Sequence, residues 1–469
     1  MRILLKCPTR SRPQKVLTTL RKYIQLARNR DQIGIAISCD DDDTSMRQQS
    51  VQNELRSMFS NVAWSRIFFS PNKSKIEACN ANMGEIDYPW DIVVLVSDDM
   101  IPQVEGWDTV IQNHMLAYFP DTDGILWFND GCQGDKLNTL CVYGRKMFSE
   151  TLQQYIYRPE YKSFYCDTEL TDRCRGDLAP KCRYIQHCII RHEHPGTGFA
   201  QNMDPLYAKN QTHWSADLRM YIRRKAYPYH WSILIPTIPG REKTLQRLLE
   251  SIHEKTRRLA PEMKYEVCLS FDTGGQSVGA KRQALLQGAK GKYMSFIDDD
   301  DEITDAYIED VWAMIQGEYD TMRLRGQMSE YTFVHSTAIT LASYAATQDE
   351  PPILQRPPNH LNPMLTDFGK LVSFKNATRG EDLDWALNLH RTRYLSNEYR
   401  SDPGRIHYIY HAGAHLPPPD LIRRQRTMTY EKLLSGAWIP GPSPQPPSGI
   451  PHLSEPRVLR LSSKGFVSK

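Results

Sequence analysis

Two short runs of carboxylates dominate the chemistry this sequence can offer: Ser97-Asp98-Asp99-Met100 and Asp298-Asp299-Asp300-Asp301-Glu302. Neighbouring carboxylates repel one another, so holding them together requires positive charge beside them, and a divalent cation is the usual provider. Oxygen ligands alone favour magnesium or manganese, ions that keep several waters and take one or two carboxylates together with substrate phosphates. A histidine in the shell shifts that preference towards manganese. Each run has later companions: Cys166-Asp167-Thr168-Glu169-Leu170 and His192-Glu193-His194-Pro195 after the first, Gly380-Glu381-Asp382, His411 and His415 after the second. An acid in such a place suits general-base work on a hydroxyl, and the histidine suits a metal or phosphate contact. A calcium loop is excluded, because Ser45 and Ile303 stand where that loop needs glycine.

The acids follow uninterrupted apolar segments, Ile92 to Val96 and Met294 to Ile297, which places them at the rim of a core rather than on an open surface. Upstream, the same series of features occurs twice. Ile3 to Leu5 leads into Pro8-Thr9-Arg10 and an amphipathic stretch through Leu17, Leu20 and Ile24; Ile233 to Ile235 leads into Pro236-Thr237 and Leu245, Leu248, Leu249 and Ile252. Next comes a strand ending in acid, Ile33 to Cys39 before Asp40 to Asp43, matched by Val267 to Phe271 before Asp272. A basic helical segment follows each, Lys73 to Asn80 and Gly279 to Ala284. Strands alternating with helical patterns predict βαβ units and a largely parallel sheet, with ligands beyond the carboxyl ends of its strands. Internal repetition of this kind predicts two domains.

Length agrees, since 469 residues exceed what one hydrophobic core usually supports. The composition, 40% hydrophobic and 24% charged, is that of an ordinary globular protein, and a formal charge of +3 does not call for a nucleic-acid partner. The N-terminal stretch lacks the apolar run of a signal peptide, and no window approaches the ~20 apolar residues of a membrane span, so a cytoplasmic protein is expected. In a reducing compartment the ten cysteines read as thiols. The spacings of Cys166, Cys174, Cys182 and Cys188 lack the close pairs of a structural zinc site, and buried thiols are the expectation there.

With these residues in view, both halves resemble GT-A fold glycosyltransferases of family 2. The second half carries Pro236-Thr237, Asp272, the Asp298 to Asp301 run as the aspartate motif and Glu381-Asp382 as the family's acidic pair. The first half resembles family-2-like domains of phage and environmental viral sequences through Pro8 to Pro13, Ser97 to Pro102, Trp127 to Gly131, Tyr161 to Asp167 and His192 to Pro195. The resemblance covers about residues 1 to 420 and implies an α/β chain of two tandem GT-A, Rossmann-like nucleotide-diphospho-sugar transferase domains, 1–226 and 227–435. A Pro-rich extended or disordered tail, 436–469, follows.

It also implies the site. Thr9, Arg10, Asp40, Asp42, Lys75 and Asp98 would bind the nucleotide sugar in the first domain, and Thr237, Asp272, Lys281, Arg282, Asp298 and Asp299 in the second. Asp99 with His194, and Asp300 with His411, would hold one Mn2+ or Mg2+ per active domain, with His192 and His415 as alternative histidines. Asp382, flanked by Glu381, would be the base of an inverting transfer in the second domain; in the first, Asp167 and Glu169 are both eligible. The second domain, with the fuller motif, is expected to be the active one. The acceptor would be a glycan or a modified nucleobase in DNA, in the host cytoplasm if the chain is viral. Two other functions share these features: non-catalytic carbohydrate- or nucleic-acid-binding modules, and a sugar-phosphate nucleotidyltransferase. The latter would need a glycine-rich phosphate loop after the first strand, which neither Pro8 to Pro13 nor Pro236 to Gly240 supplies.

Overall fold

The structure, a computed structural model, describes residues 1–199, 204–271, 275–329, 331–339 and 353–411, together with the backbone of 458–462 and 465–466. It divides into two compact units, Met1–Lys225 and Ala226–Lys469. Each is a mixed α/β unit built on a sheet with a parallel centre.

In the first unit β1 (Ile3–Thr9) leads to α1 (Pro13–Leu26), which starts on a proline, where the ring's fixed φ and missing N–H cost nothing. Its residues Val16, Leu17, Leu20, Tyr23 and Ile24 recur at helical spacing and are all buried against the sheet. β2 (Ile33–Asp40) is buried along its whole length, as expected for a strand covered on both faces. The chain continues through α2 (Gln49–Met58), β3 (Trp64–Ser70), α3 (Lys75–Asn80) and β4 (Ile92–Leu95). The sheet order is β3-β2-β1-β4, all parallel, extended by β7 (Val142–Gly144), β6 (Ile125–Phe128) and β8 (Cys182–Ile185). From β1 the chain winds outward to β3 and then returns across to β4, so the order reverses between β1 and β4. That reversal is where an open α/β sheet leaves a crevice beyond its carboxyl ends.

Three further pieces frame the crevice. β5 (Met100–Pro102) pairs antiparallel with β9 (Ile190–His192), setting Met100 opposite His192. α5 (Cys166–Arg175) brings in Asp167 and Glu169, and α6 (Pro205–Gln211) is followed by α7 (Trp214–Arg224). Between β5 and β6 lies α4 (Trp107–Tyr118).

The second unit repeats the plan with β10 (Tyr229–Thr237), α8 (Glu242–Leu259), β11 (Tyr265–Phe271), α9 (Val278–Gly288) and β12 (Gly291–Phe296). β11-β10-β12 are parallel, so this sheet too reverses beside its first strand, between β10 and β12. After β13 (Glu302–Ile303) and α10 (Asp305–Gln316) come β14 (Thr321–Met322), β15 (Leu324–Met328), β16 (Tyr331–His335), β17 (Ile353–Arg356) and β18 (Met364–Leu365). Then follow α11 (Thr366–Gly369), α12 (Glu381–Thr392), β19 (Glu398–Tyr399) and β20 (Tyr408–Ile409). β13, β20, β15, β16 and β17 form a separate five-stranded sheet. Of the stretch expected as a Pro-rich tail, 436–457 lies outside the described residues, whereas β21 (Val458–Ser462) pairs antiparallel with β11 and turns into β22 (Gly465–Phe466).

One core residue of the first unit is a cation. Lys6 alternates with Leu5 and Cys7 on β1, is wholly buried, and donates to the Ser38 hydroxyl and the Ala78 carbonyl. Burial lowers its pKa from 10.5 to about 8. Between those values the unfolded chain holds a proton that the folded chain has released, so stability rises with pH across that window. Below it the lysine costs about 3 kcal/mol relative to alkaline solution. Lys6→Met is therefore expected to raise Tm at pH 7, with the advantage shrinking towards pH 10; an advantage independent of pH in scanning calorimetry would remove this account.

Candidate functional site

In the first unit the sheet reversal opens into a cleft of about 1120 Å³, open solvent at its mouth included. Thr9 enters from the end of β1, and Asp98 and Asp99 from the turn after β4. Asp40 comes from β2, Lys73 and Lys75 from the approach to α3, Asp167 from the first turn of α5, and Tyr207 and Lys209 from α6.

Arg12 holds this arrangement. It is the residue before α1, and its Nη1 donates to Asp98 at 3.1 Å while Nη2 donates to Asp204 at 2.8 Å. Its guanidinium also lies over the Tyr207 ring, 4.7 Å from the centroid. Asp204 caps α6 through the backbone N–H groups of Leu206 and Tyr207, so one part-buried cation ties the carboxylate rim to the helix that walls the cleft. Tyr207 in turn donates its hydroxyl to Asp99, as does Ser97. His192 stands 3.7 Å from the same carboxylate, placed there by the β5–β9 pairing. Burial pushes the Asp98 carboxyl up, with Asp99 adding repulsion and Arg12 opposing it. Burial acts the same way on Asp99, but His192, Ser97 and Tyr207 together outweigh it and hold the group well below the usual range.

The four-acid run after β2 divides its labour. Arg10 pairs with Asp40 and makes two parallel bonds to Asp42, at 2.6 and 2.8 Å. Asp43 is buried and structural: it accepts from the backbone of Ser11, Ser45 and Met46 and from the Ser45 hydroxyl. Ser11 needs that anchor, since its φ of 56° lies in the left-handed region. Two residues lining this cleft each keep a buried polar atom with no hydrogen-bond partner, the Thr9 hydroxyl and Arg12 Nε.

The cleft thus brings together Thr9, Arg10, Asp40, Lys75, Asp98, Asp99 and Asp167, and leaves three expected residues outside it. Asp42 sits beyond the rim on Arg10. Glu169 turns away from the cleft to accept from Tyr161 at 2.6 Å and from Arg224 at 2.8 and 3.0 Å, which makes it a packing partner of α7. His194 packs edge-to-face against His192 and Tyr207, and its Nδ1 accepts from the Gly196 N–H; burial lowers its pKa to about 4. His192, not His194, is the histidine beside Asp99.

In the second unit the acids are held mainly by arginines. Arg241, the residue before α8, bonds Asp299 at 2.6 Å and Asp300 at 2.8 Å, and Thr237 donates to Asp299 at 2.6 Å. Arg282 on α9 bridges Asp298 at 3.1 Å and Glu381 at 2.5 Å. The contact requires α9 to press against the 375–381 segment, and a Cβ on Gly279 would stand 2.0 Å from the Lys375 carbonyl oxygen. Gly380, at φ +71°, turns the chain into α12, at whose start Glu381 and Asp382 lie. Asp301 accepts from the Tyr408 hydroxyl and the His411 backbone N–H, and burial raises its pKa to about 7. The His411 ring lies 3.2 Å from Glu302 rather than on Asp300. Lys281 is buried on α9, and Asp272 and His415 fall outside the described residues.

No family model matches the chain, and no curated protein matches it. Among solved structures it is similar to residues 1–349 of TarS from S. aureus in complex with UDP-GlcNAc, at 17% identity and a TM-score of 0.30 over 43% of this chain and 66% of that one. It is also similar to a mannosyltransferase from Pyrobaculum calidifontis in complex with GDP-Man and Mn2+, at 11% identity and a TM-score of 0.35 over 48% and 66% of the two chains. A CMP-2-keto-3-deoxy-manno-octonic acid synthetase complexed with CTP matches at 10% identity and a TM-score of 0.26, over 40% of this chain and 90% of that one. The chain spans slightly under two thirds of the length of TarS 1–349 and 40% of a longer TarS structure.

The donor sets do not fit the metal expectation as they stand. In the first unit both Asp99 oxygens already accept hydroxyls and Asp98 faces Arg12; in the second, Arg241 lies between Asp299 and Asp300. The cysteines do not form a metal group either: Cys166 and Cys174 are buried thiols, and Cys174 hydrogen-bonds to Cys182.

Sequence reasoning missed Tyr207, Lys209 and the roles of Arg12 and Arg241. The available signal was positional: each arginine falls three or four residues after the threonine that ends the first strand, immediately before the first helix.

Arg12→Leu would leave Asp98 buried without its cation and free Asp204, costing about 3 kcal/mol. Because the stranded carboxylate is relieved by protonation, the loss is greatest at neutral pH and narrows in acid. A lower Tm at pH 7 that partly recovers near pH 4.5 checks this; an equal deficit at both pH values would contradict it.

Proposed function

We propose that the chain transfers a sugar from a nucleotide-diphosphate sugar to an acceptor hydroxyl, with the first unit's cleft as a donor site of GT-A type. The observation that carries this reading is the cleft itself, at the reversal of strand order and lined by Thr9, Asp40, Asp98, Asp99 and Asp167. Thr9 and the Asp40–Arg10 pair lie at the ends of β1 and β2, where they would meet the nucleoside.

Asp167 is the proposed base. Among the described residues it makes no ion pair and accepts from no hydroxyl, with Lys75 acting on it only at longer range, and its Oδ1 accepts only the Thr168 N–H, which leaves its carboxylate at the cleft to take a proton. As the acceptor oxygen bonds to the anomeric carbon, Asp167 removes its proton. The bond from that carbon to the phosphate oxygen breaks, and its electron pair leaves with the diphosphate. A single displacement of this kind inverts the anomeric centre. Glu169, held by Arg224, takes no part. In the second unit Asp382 is the proposed counterpart, with Asp272 as a nucleotide contact. The acceptor class is a hydroxyl of a glycan or of a modified nucleobase. No helix among the described residues is long and apolar enough to cross a membrane.

The test is release of nucleoside diphosphate from a panel of nucleotide sugars, with and without oligosaccharide or hydroxymethylated DNA as acceptor. Asp167→Asn should lower turnover by about 100-fold or more with little change in Tm, and Asp382→Asn reports separately on the second unit. The proposal fails if the wild-type chain releases nothing from any donor, with or without manganese.

A further inference from the structure

Not every cation of the first unit's cleft is committed to an ion pair. Arg10 is taken by Asp40 and Asp42, and Arg12 by Asp98 and Asp204. Asp99 is satisfied by Ser97 and Tyr207 beside His192. Three lysines remain, Lys73 and Lys75 ahead of and within α3, and Lys209 on α6. All three line the cleft, and among the described residues none of them makes an ion pair. Glu77, the nearest acid on α3, is bonded instead by Lys162 at 2.8 Å.

A lysine on an open surface is by default only solvated, but these three converge on one concavity from two separate stretches of chain. A second observation points to a ligand in the same place. Thr9, 92% buried, and Arg12 both line the cleft and each keeps a buried polar atom, the hydroxyl and Nε, without a partner, and a buried polar atom left unpaired is costly unless something else completes it. Apart from Asp167, whose carboxylate acts on Lys75 and is kept for the acceptor proton, the unmet groups are donors and cations, which call for an anion that also accepts hydrogen bonds.

Resting on the proposed donor site, we propose that Lys73, Lys75 and Lys209 of the first unit bind the diphosphate of the donor directly, so that this cleft takes a diphosphate without a divalent cation. The anion sits between the α3 lysines and Lys209, with Thr9 and Arg12 Nε donating to it. Asp99, held by Ser97 and Tyr207, then positions α6 and Lys209 rather than carrying an ion. On departure of the diphosphate, its charge is met by three ammonium groups.

Inorganic pyrophosphate titrated calorimetrically into the full chain tests this. The expected result is binding in EDTA that weakens with added salt and that falls about tenfold or more in Lys75→Met and in Lys209→Met. Lys136→Met, a substitution elsewhere on the same unit, should leave it unchanged. Both cleft lysines are exposed, so neither substitution threatens folding. Binding that appears only with manganese, or binding in EDTA indifferent to both substitutions, overturns the proposal. The two readings fail separately: nucleotide sugars cleaved only with manganese, without pyrophosphate binding in EDTA, would leave the transferase and remove the lysine site. Lysine-dependent pyrophosphate binding without cleavage of any donor would do the reverse.

Discussion

Carboxylates gathered at the rim of a hydrophobic core are the constraint around which each unit is organised. Two acids side by side, nine-tenths removed from water, are tolerated only if each finds a cation or a donor. In the first unit that demand is met by Arg12, and meeting it has structural reach. The same guanidinium bonds Asp98 behind β4 and Asp204 ahead of α6, so neutralising the rim also fastens the wall opposite it. Tyr207 is carried on that wall to Asp99, and the cleft between rim and wall follows from the span of one arginine.

The second unit solves the same problem with two arginines. Arg241 occupies the position of Arg12, directly before the first helix, and reaches the acid run across the reversal of the sheet. Arg282 adds a bridge from Asp298 to Glu381 and draws α9 onto the start of α12, a contact that only a glycine at 279 allows. A repeat that is faint in residue identity is therefore clear in electrostatics: first strand, arginine, first helix, and an acid run at the end of the neighbouring strand.

Much of this was legible in the sequence, for identifiable reasons. Apolar runs such as Ile92 to Val96 can only be buried strands, and Val16, Leu17, Leu20 and Ile24 can only share one helical face, so the alternation of strands and helices was fixed by period alone. The placement of Asp98, Asp99 and Asp298 at strand ends followed from it. What periodicity could not show was partner choice. Asp167 and Glu169 lie two residues apart on one helix, hence on different sides of it, and only the docking of α7 through Arg224 decides which faces the cleft. His192 and His194 differ in the same way, because the pairing of β9 with Met100 sets the first beside Asp99 and the next turn carries the second behind it. Tyr207 and Lys209 come from a helix beyond the histidines that close the matched series, and pattern matching between the halves stops short of it.

The strand formed by Val458–Ser462 has a further meaning for the second unit. β11 lies beside β10 on one side and would otherwise present a free row of amides and carbonyls on the other. Residues 458–462 occupy that row in antiparallel register, from Glu266 opposite Ser462 to Ser270 opposite Val458. Open edges of this length are templates for pairing between molecules. Val458–Ser462 thus acts as a guard strand for the sheet, and its loss would expose a sticky edge while leaving the sequence of the acid cluster untouched.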